Sequence, residues 1–88
     1  MKLIRKVRVK NSLGLHTRPA TVIVKLLQHC KSAVNFSHKR DSINAKSIMS
    51  ILMLAACKNA QIVVTVEGED AEETMEKIVL AFEEGFGE

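Results

Sequence analysis

Eighty-eight residues, of which 47% are hydrophobic and 26% charged, suffice for one soluble domain, residues 1–88, with a single core and little apolar surface to spare. The formal net charge of +3 conceals a division: residues 1–60 hold twelve of the thirteen Lys and Arg against one acid, and residues 61–88 hold nine of the ten Asp and Glu against one Lys. The longest apolar run, Ile51 to Cys57, is too short for a membrane span, no export signal follows Met1, and Cys30 and Cys57 make no disulfide framework, so a cytoplasmic protein is expected.

Residues 3–9 alternate, with Leu3, Val7 and Val9 on one face and Ile4, Lys6 and Arg8 on the other. Arg5 interrupts the apolar face, yet the period of two predicts a strand. Asn11 to Gly14 is a turn signal. From Thr17 the period lengthens. Ala20, Ile23, Val24 and Leu27 share one helical face, Thr21, Lys25 and Gln28 lie opposite, and Lys31-Ser32 is the expected end. Val34 and Phe36 then alternate with Ala33, Asn35 and Ser37 as a second strand. His38 to Asp41 reads as a hairpin turn, and Ser42 to Asn44 as a short third strand. Ser47 is placed as the N-cap of a short apolar helix carrying Ile48, Met49, Ile51 and Leu52. Gln61 to Glu67 alternates as a well-buried fourth strand. Asp70, with Glu73 three residues on, has the form of a capping box. It opens a last helix with Ala71, Thr74, Met75, Ile78 and Phe82 on one face, which Gly85 and Gly87 end. The order βαββαβα predicts an α+β fold, one sheet with helices packed on one face.

The stretch GLHTRPA, Gly14 to Ala20, places His16 where a turn becomes a helix. Pro19 fits the first turn, where a missing N–H costs nothing, and Gly14 permits a tight backbone just before it. Open N–H groups of a first turn carry partial positive charge and favour an anion beside the imidazole. Arg18 adds a guanidinium shaped to grip a phosphate. A ring nitrogen next to such a site has the means to accept a phosphoryl group. The spacing alone also fits an exposed cap with a solvated arginine.

Three segments, NSLGLHTRPATVIVKLL, INAKSIM and VEGEDAEETMEKI, resemble in order and spacing the HPr family, bacterial phosphocarriers of the phosphoenolpyruvate-dependent sugar phosphotransferase system. The resemblance covers essentially the whole chain. It implies an open-faced β-sandwich, a four-stranded antiparallel sheet with three helices on one face. It implies that His16 accepts a phosphoryl group on Nδ1 from phosphorylated enzyme I and passes it to IIA components of sugar permeases, with Arg18 beside it. The chain would then be a monomeric carrier rather than an enzyme with independent turnover. Ser47 matches the serine that a serine kinase/phosphorylase modifies in many branches. Ile48, Met49 and Leu52 match the family's apolar docking patch, with Ile51 buried beneath it. Thr21 and Lys25 would border that patch, and Arg18 would stand next to Ile48 and Met49. Departures from the family are Arg40 where a hairpin glycine is usual, Ser50 for a glycine after KSIM, and MLAACKNA in place of a glycine-bearing segment.

The alternative within the same fold is a regulatory protein of a nitrogen-type phosphorelay, or one acting mainly through Ser47. The basic first part also permits nucleic-acid binding, but the chain has no Trp or Tyr and only three Phe to stack on bases. His29, Cys30, His38 and Cys57 lack a zinc-type spacing, so no metal is expected. No Gly-rich nucleotide loop is present, and no cofactor is expected.

Overall fold

The computed structural model describes Met1–Glu88. Its elements are β1 (Lys2–Arg8), α1 (Thr17–Leu27), β2 (Ala33–His38), β3 (Asp41–Asn44), α2 (Ile48–Leu54), β4 (Gln61–Glu67) and α3 (Ala71–Glu83), closed by a 3-10 turn at Gly85–Gly87. The four strands form one antiparallel sheet in the order β1-β4-β2-β3. This is the open-faced α+β sandwich that the sequence implied.

Register decides which side chains meet. Arg5 lies opposite Val64, Val64 opposite Phe36, and Phe36 opposite Ile43. The next row, Ile4, Thr65, Asn35 and Asn44, points the other way, because side chains alternate along a strand. Val34, Phe36, Ile62, Val64 and Val66 are therefore buried on one face, while the second face meets solvent, as antiparallel sheets permit. Onto the buried face α1 lays Ala20, Ile23 and Leu27, and α3 lays Ala71, Met75, Ile78 and Phe82. Phe82 meets Phe36 edge-on at 5.6 Å and Phe86 at 4.8 Å, so all three phenylalanines of the chain share one cluster. No helix is long and apolar enough to cross a membrane.

α1 and α2 run in opposite directions. Leu15, just before α1, donates its N–H to the Ala56 carbonyl just after α2 at 3.0 Å. At the far end, Lys46 Nζ donates to the Cys30 carbonyl at 3.1 Å.

Three local readings change. α1 ends at Leu27 rather than at Lys31-Ser32. The N–H groups of Lys31 and Ser32 turn instead to the Asp70 carboxylate, at 2.8 and 2.9 Å, and the buried Ser32 hydroxyl joins them. That use of Asp70 also removes the expected capping box: Asp70 occupies the N-cap of α3, but its side chain makes no cap hydrogen bond. The third change concerns the missing glycines. In the hairpin the left-handed residue is Lys39, at φ +55, not Arg40. Ser50 sits in the first turn of α2 with its N–H donated to Ser47 Oγ, where a glycine is not required. Ala55, the C-cap of α2, takes φ +53 and ψ +37, a region that costs a residue with a Cβ about 1–2 kcal/mol.

Ala55→Gly should relieve that strain. Part of the gain is offset by the freer unfolded chain, leaving a net stabilisation of about 0.5–1 kcal/mol in urea unfolding. Asp70 makes a second prediction. The Ser32 hydroxyl, then the Lys31 N–H, draws its carboxyl from 3.8 down to about 2. A depressed folded value stabilises the protein above the unfolded value and is lost as pH falls through the folded one. Thermal unfolding should therefore show a loss of stability between about pH 4 and pH 2 that Asp70→Asn flattens.

Candidate functional site

The loop before α1 is shaped by a close approach. Gly14 has φ +70, and a Cβ there would collide with the Ala56 carbonyl. Leu15 is buried and bonded to that same carbonyl. His16 follows as the N-cap of α1, and its carbonyl accepts the Ala20 N–H at 3.0 Å. Pro19 has no N–H, so the open donors of the first turn are those of Thr17 and Arg18.

The imidazole itself does not cap the helix. Nε2 lies 3.1 Å from Glu88 Oε1 and 3.0 Å from Oε2, with about 31% of the His16 side chain exposed. Asn11 holds the other side of this contact. Its Nδ2 donates to Glu88 Oε1 at 2.6 Å and to the Gly85 carbonyl at 2.7 Å. Phe86, buried at φ +57, anchors the tail between those two residues. Desolvation opposes ionisation of Glu88, but the hydrogen bonds from His16 and Asn11 and the charges of His16 and Arg18 outweigh it, and its carboxyl is held below the ordinary range. An ionised carboxylate is an acceptor only, so the neutral imidazole carries its proton on Nε2. Nδ1 is left with the free lone pair.

A hollow of about 400 Å³ opens beside the ring. Lys10, Ser12 and Leu13 line one part of it, and Glu83, Glu84 and Glu88 another. Charge counting along the sequence set bases and acids apart, but the folded tail brings acids to the histidine. Arg18 is exposed and makes no side-chain hydrogen bond or ion pair within the chain. Thr21 is half-buried, and its hydroxyl donates to the Thr17 carbonyl at 2.8 Å. Lys25 is exposed in the last turn of α1.

On α2, Ile51 is fully buried, Ile48 and Leu52 are partly exposed, and Met49 is 70% exposed. Met53, which the sequence reading passed over, is 75% exposed and continues the stripe at i+4 from Met49. Ser47 is half-buried, and its Oγ accepts the Ser50 N–H at 3.2 Å. The antiparallel helix pair corrects one placement. Arg18 lies at the His16 end of α1, and the start of α2 lies at the other, so Ile48 and Met49 lie toward the Lys25 end of α1 rather than the Arg18 end. Asn11 and Glu88 were also missed. Helical spacing could have found Met53, whereas nothing local ties residue 88 to residue 16. No group of three or more His, Cys, Asp or Glu is placed to hold a metal ion.

His16 thus stands half-exposed at the head of a helix on an open-faced sandwich, beside a surface hollow rather than in a deep cleft. Residues 3–84 match the family model described as the PTS HPr component phosphorylation site. Over 80 residues the chain is 49% identical to the phosphocarrier protein HPr of Chlamydia pneumoniae, covering 91% of this chain and 74% of that one. With the HPr of Xylella fastidiosa strain Temecula1 it shares 36% over 86 residues, 98% and 97% of the two chains. The crystal structure of HPr-C-His from Thermoanaerobacter tengcongensis superposes with a TM-score of 0.93 at 32% identity, over 98% of this chain and 97% of the other. The chain belongs to the HPr family, the phosphocarrier proteins of the phosphotransferase system.

The Glu88 contact is open to measurement. In His16→Ala the carboxyl loses both a hydrogen bond and a charge, and carbon-detected NMR should show Glu88 titrating at higher pH than in the parent protein. An unchanged Glu88 titration would show that the two side chains do not meet in solution.

Proposed function

We propose that the chain is a histidine phosphocarrier acting as one unit over residues 1–88, with Nδ1 of His16 as the acceptor atom. The observation that supports this reading is the pairing of Nε2 with Glu88 beside an open helix start, because a neutral ring that donates to Glu88 through Nε2 keeps its lone pair on Nδ1. Phosphorylated enzyme I brings the phosphoryl group. The bond from phosphorus to enzyme I breaks as the bond from Nδ1 forms, while the proton on Nε2 stays in its contact with Glu88. The ring then gains positive character, which the carboxylate balances. Thr17 and Arg18 N–H groups and the free Arg18 guanidinium face the phosphoryl oxygens. Transfer onward to a IIA component of a sugar permease runs the same steps in reverse order. Because the protonated ring is a good leaving group, neither direction needs a metal or a cofactor.

Docking belongs to the stripe of Ile48, Met49, Leu52 and Met53, with Thr21 and Lys25 at its border. The rim of Lys25 and Arg18 suits a partner with acidic edges, and such steering weakens with salt. Phosphorylation of Ser47 by a serine kinase/phosphorylase would add about −1.5 to −2 charge at the start of that stripe. The charge would sit next to Ile48 and Met49, at the far end of the helix pair from His16, so it would act on docking rather than on the imidazole. The carrier would work in the cytoplasm as a monomer.

The test is incubation with enzyme I and phosphoenolpyruvate, followed by mass spectrometry under non-acidic conditions. The parent protein should gain one acid-labile phosphate, and His16→Ala none. Arg18→Ala should keep its melting temperature and slow transfer on the order of a hundredfold. Met49→Asp should weaken enzyme I binding in calorimetry while its circular dichroism stays unchanged. Labelling of His16→Ala at His29 or His38 would overturn the assignment.

A further inference from the structure

The sheet is open at β1, which pairs with β4 alone. Alternate N–H and C=O groups along Lys2–Arg8 therefore have no strand to bond. Next to that edge, between β1 and α3, runs a groove of about 540 Å³. Leu3, Met75, Val79 and Leu80 form its apolar part, with Leu80 54% exposed. Glu72, Glu76 and Glu83 stand along it, against Arg5 as the one base. None of the three carboxylates is ion-paired within the chain.

We propose that this edge receives an extended segment of a partner protein as a fifth strand, with apolar and Lys or Arg side chains facing inward and Asp or Glu facing outward. Four features of the site select that occupant. The free edge offers backbone hydrogen bonds that only a strand uses. The groove beside that edge is lined by Leu3, Met75, Val79 and Leu80, which take the apolar inward side chains of such a strand. The unpaired carboxylates ask for an inward cation. On the solvent face of the same strand Lys2, Lys6 and Arg8 are exposed, and opposite charges across a strand pair attract while like charges repel. That last rule also removes a second copy of this chain from consideration, because β1 paired with β1 sets Lys2, Lys6 and Arg8 against one another. The inference stands apart from the carrier reading and survives its failure.

The probe is a synthetic peptide with blocked ends, Glu-Leu-Glu-Lys-Glu-Leu-Glu, titrated into nitrogen-labelled protein. Saturable shifts are expected along β1 and α3, with slowed amide exchange at those N–H groups of Lys2–Arg8 that point away from β4. Glu76→Lys should weaken binding about tenfold or more, since it turns an attraction into a repulsion. Glu76 lies outside the hollow beside His16, so this variant leaves that site intact. N-methylation of the peptide amides that face β1 should abolish binding. The proposal is overturned by the absence of saturable shifts at millimolar peptide, or by equal binding of the N-methylated peptide. It is equally overturned by equal binding of a scrambled sequence, or by protection along β3, the opposite free edge.

Discussion

Burial of one face of β4 is the constraint from which the rest follows. Ile62, Val64 and Val66 leave no surface to water, and burying each of them stabilises the fold by about 1.5–3 kcal/mol. They sit between inward residues of β1 on one side and β2 on the other, so the sheet has one apolar face and it must be covered. Three short helices cover it, and all must therefore lie on the same side. The strand-to-helix connections are then forced to the ends of the sheet. The loop bearing His16 is one of these, and its position follows from the layers rather than from any special feature of the histidine.

The same layering explains why the acidic tail reaches a basic region. α3 must lie against β1 to place Ile78 and Phe82 over the core. Its end then falls near Asn11, and the buried Phe86 carries the chain one turn further. Glu88 arrives at His16 as a by-product of that packing. The charge separation along the chain is thus largely undone around the imidazole, where Lys10 lines one hollow with Glu83, Glu84 and Glu88 and the charge of Arg18 acts on Glu88.

Most of the architecture was legible because it rests on period and on local caps. The alternation in Gln61–Glu67 and the helical face Ala20, Ile23, Leu27 are statements about neighbours in sequence. So is Ser47 at a helix start, where the Ser50 N–H does reach it. What could not be read depends on partners far along the chain. Asp70 has the right spacing for a capping box, yet two N–H groups from residues 31 and 32 compete for its oxygens and win. The direction of α2 relative to α1 is fixed by Ala56 and Lys46, and without it Arg18 and Met49 are wrongly joined. The partner of His16 lies 72 residues away. The left-handed positions in the hairpin and at the end of α2 stayed hidden for a different reason. Left-handed backbone usually announces itself through glycine, and here Lys39 and Ala55 adopt it in silence.

The order β1-β4-β2-β3 places the last strand to be synthesised between the first and the second. β1 and the β2–β3 hairpin do not touch as strands; each waits for Gln61–Glu67. On a ribosome, the nascent chain therefore emerges with almost all its cationic residues and two open hairpin or strand edges, and has no sheet to join them. Such closure between distant segments is slow relative to helix formation. Until β4 and α3 have both cleared the ribosome, the earlier segments stay unpaired and adhesive, and only then does the sandwich close.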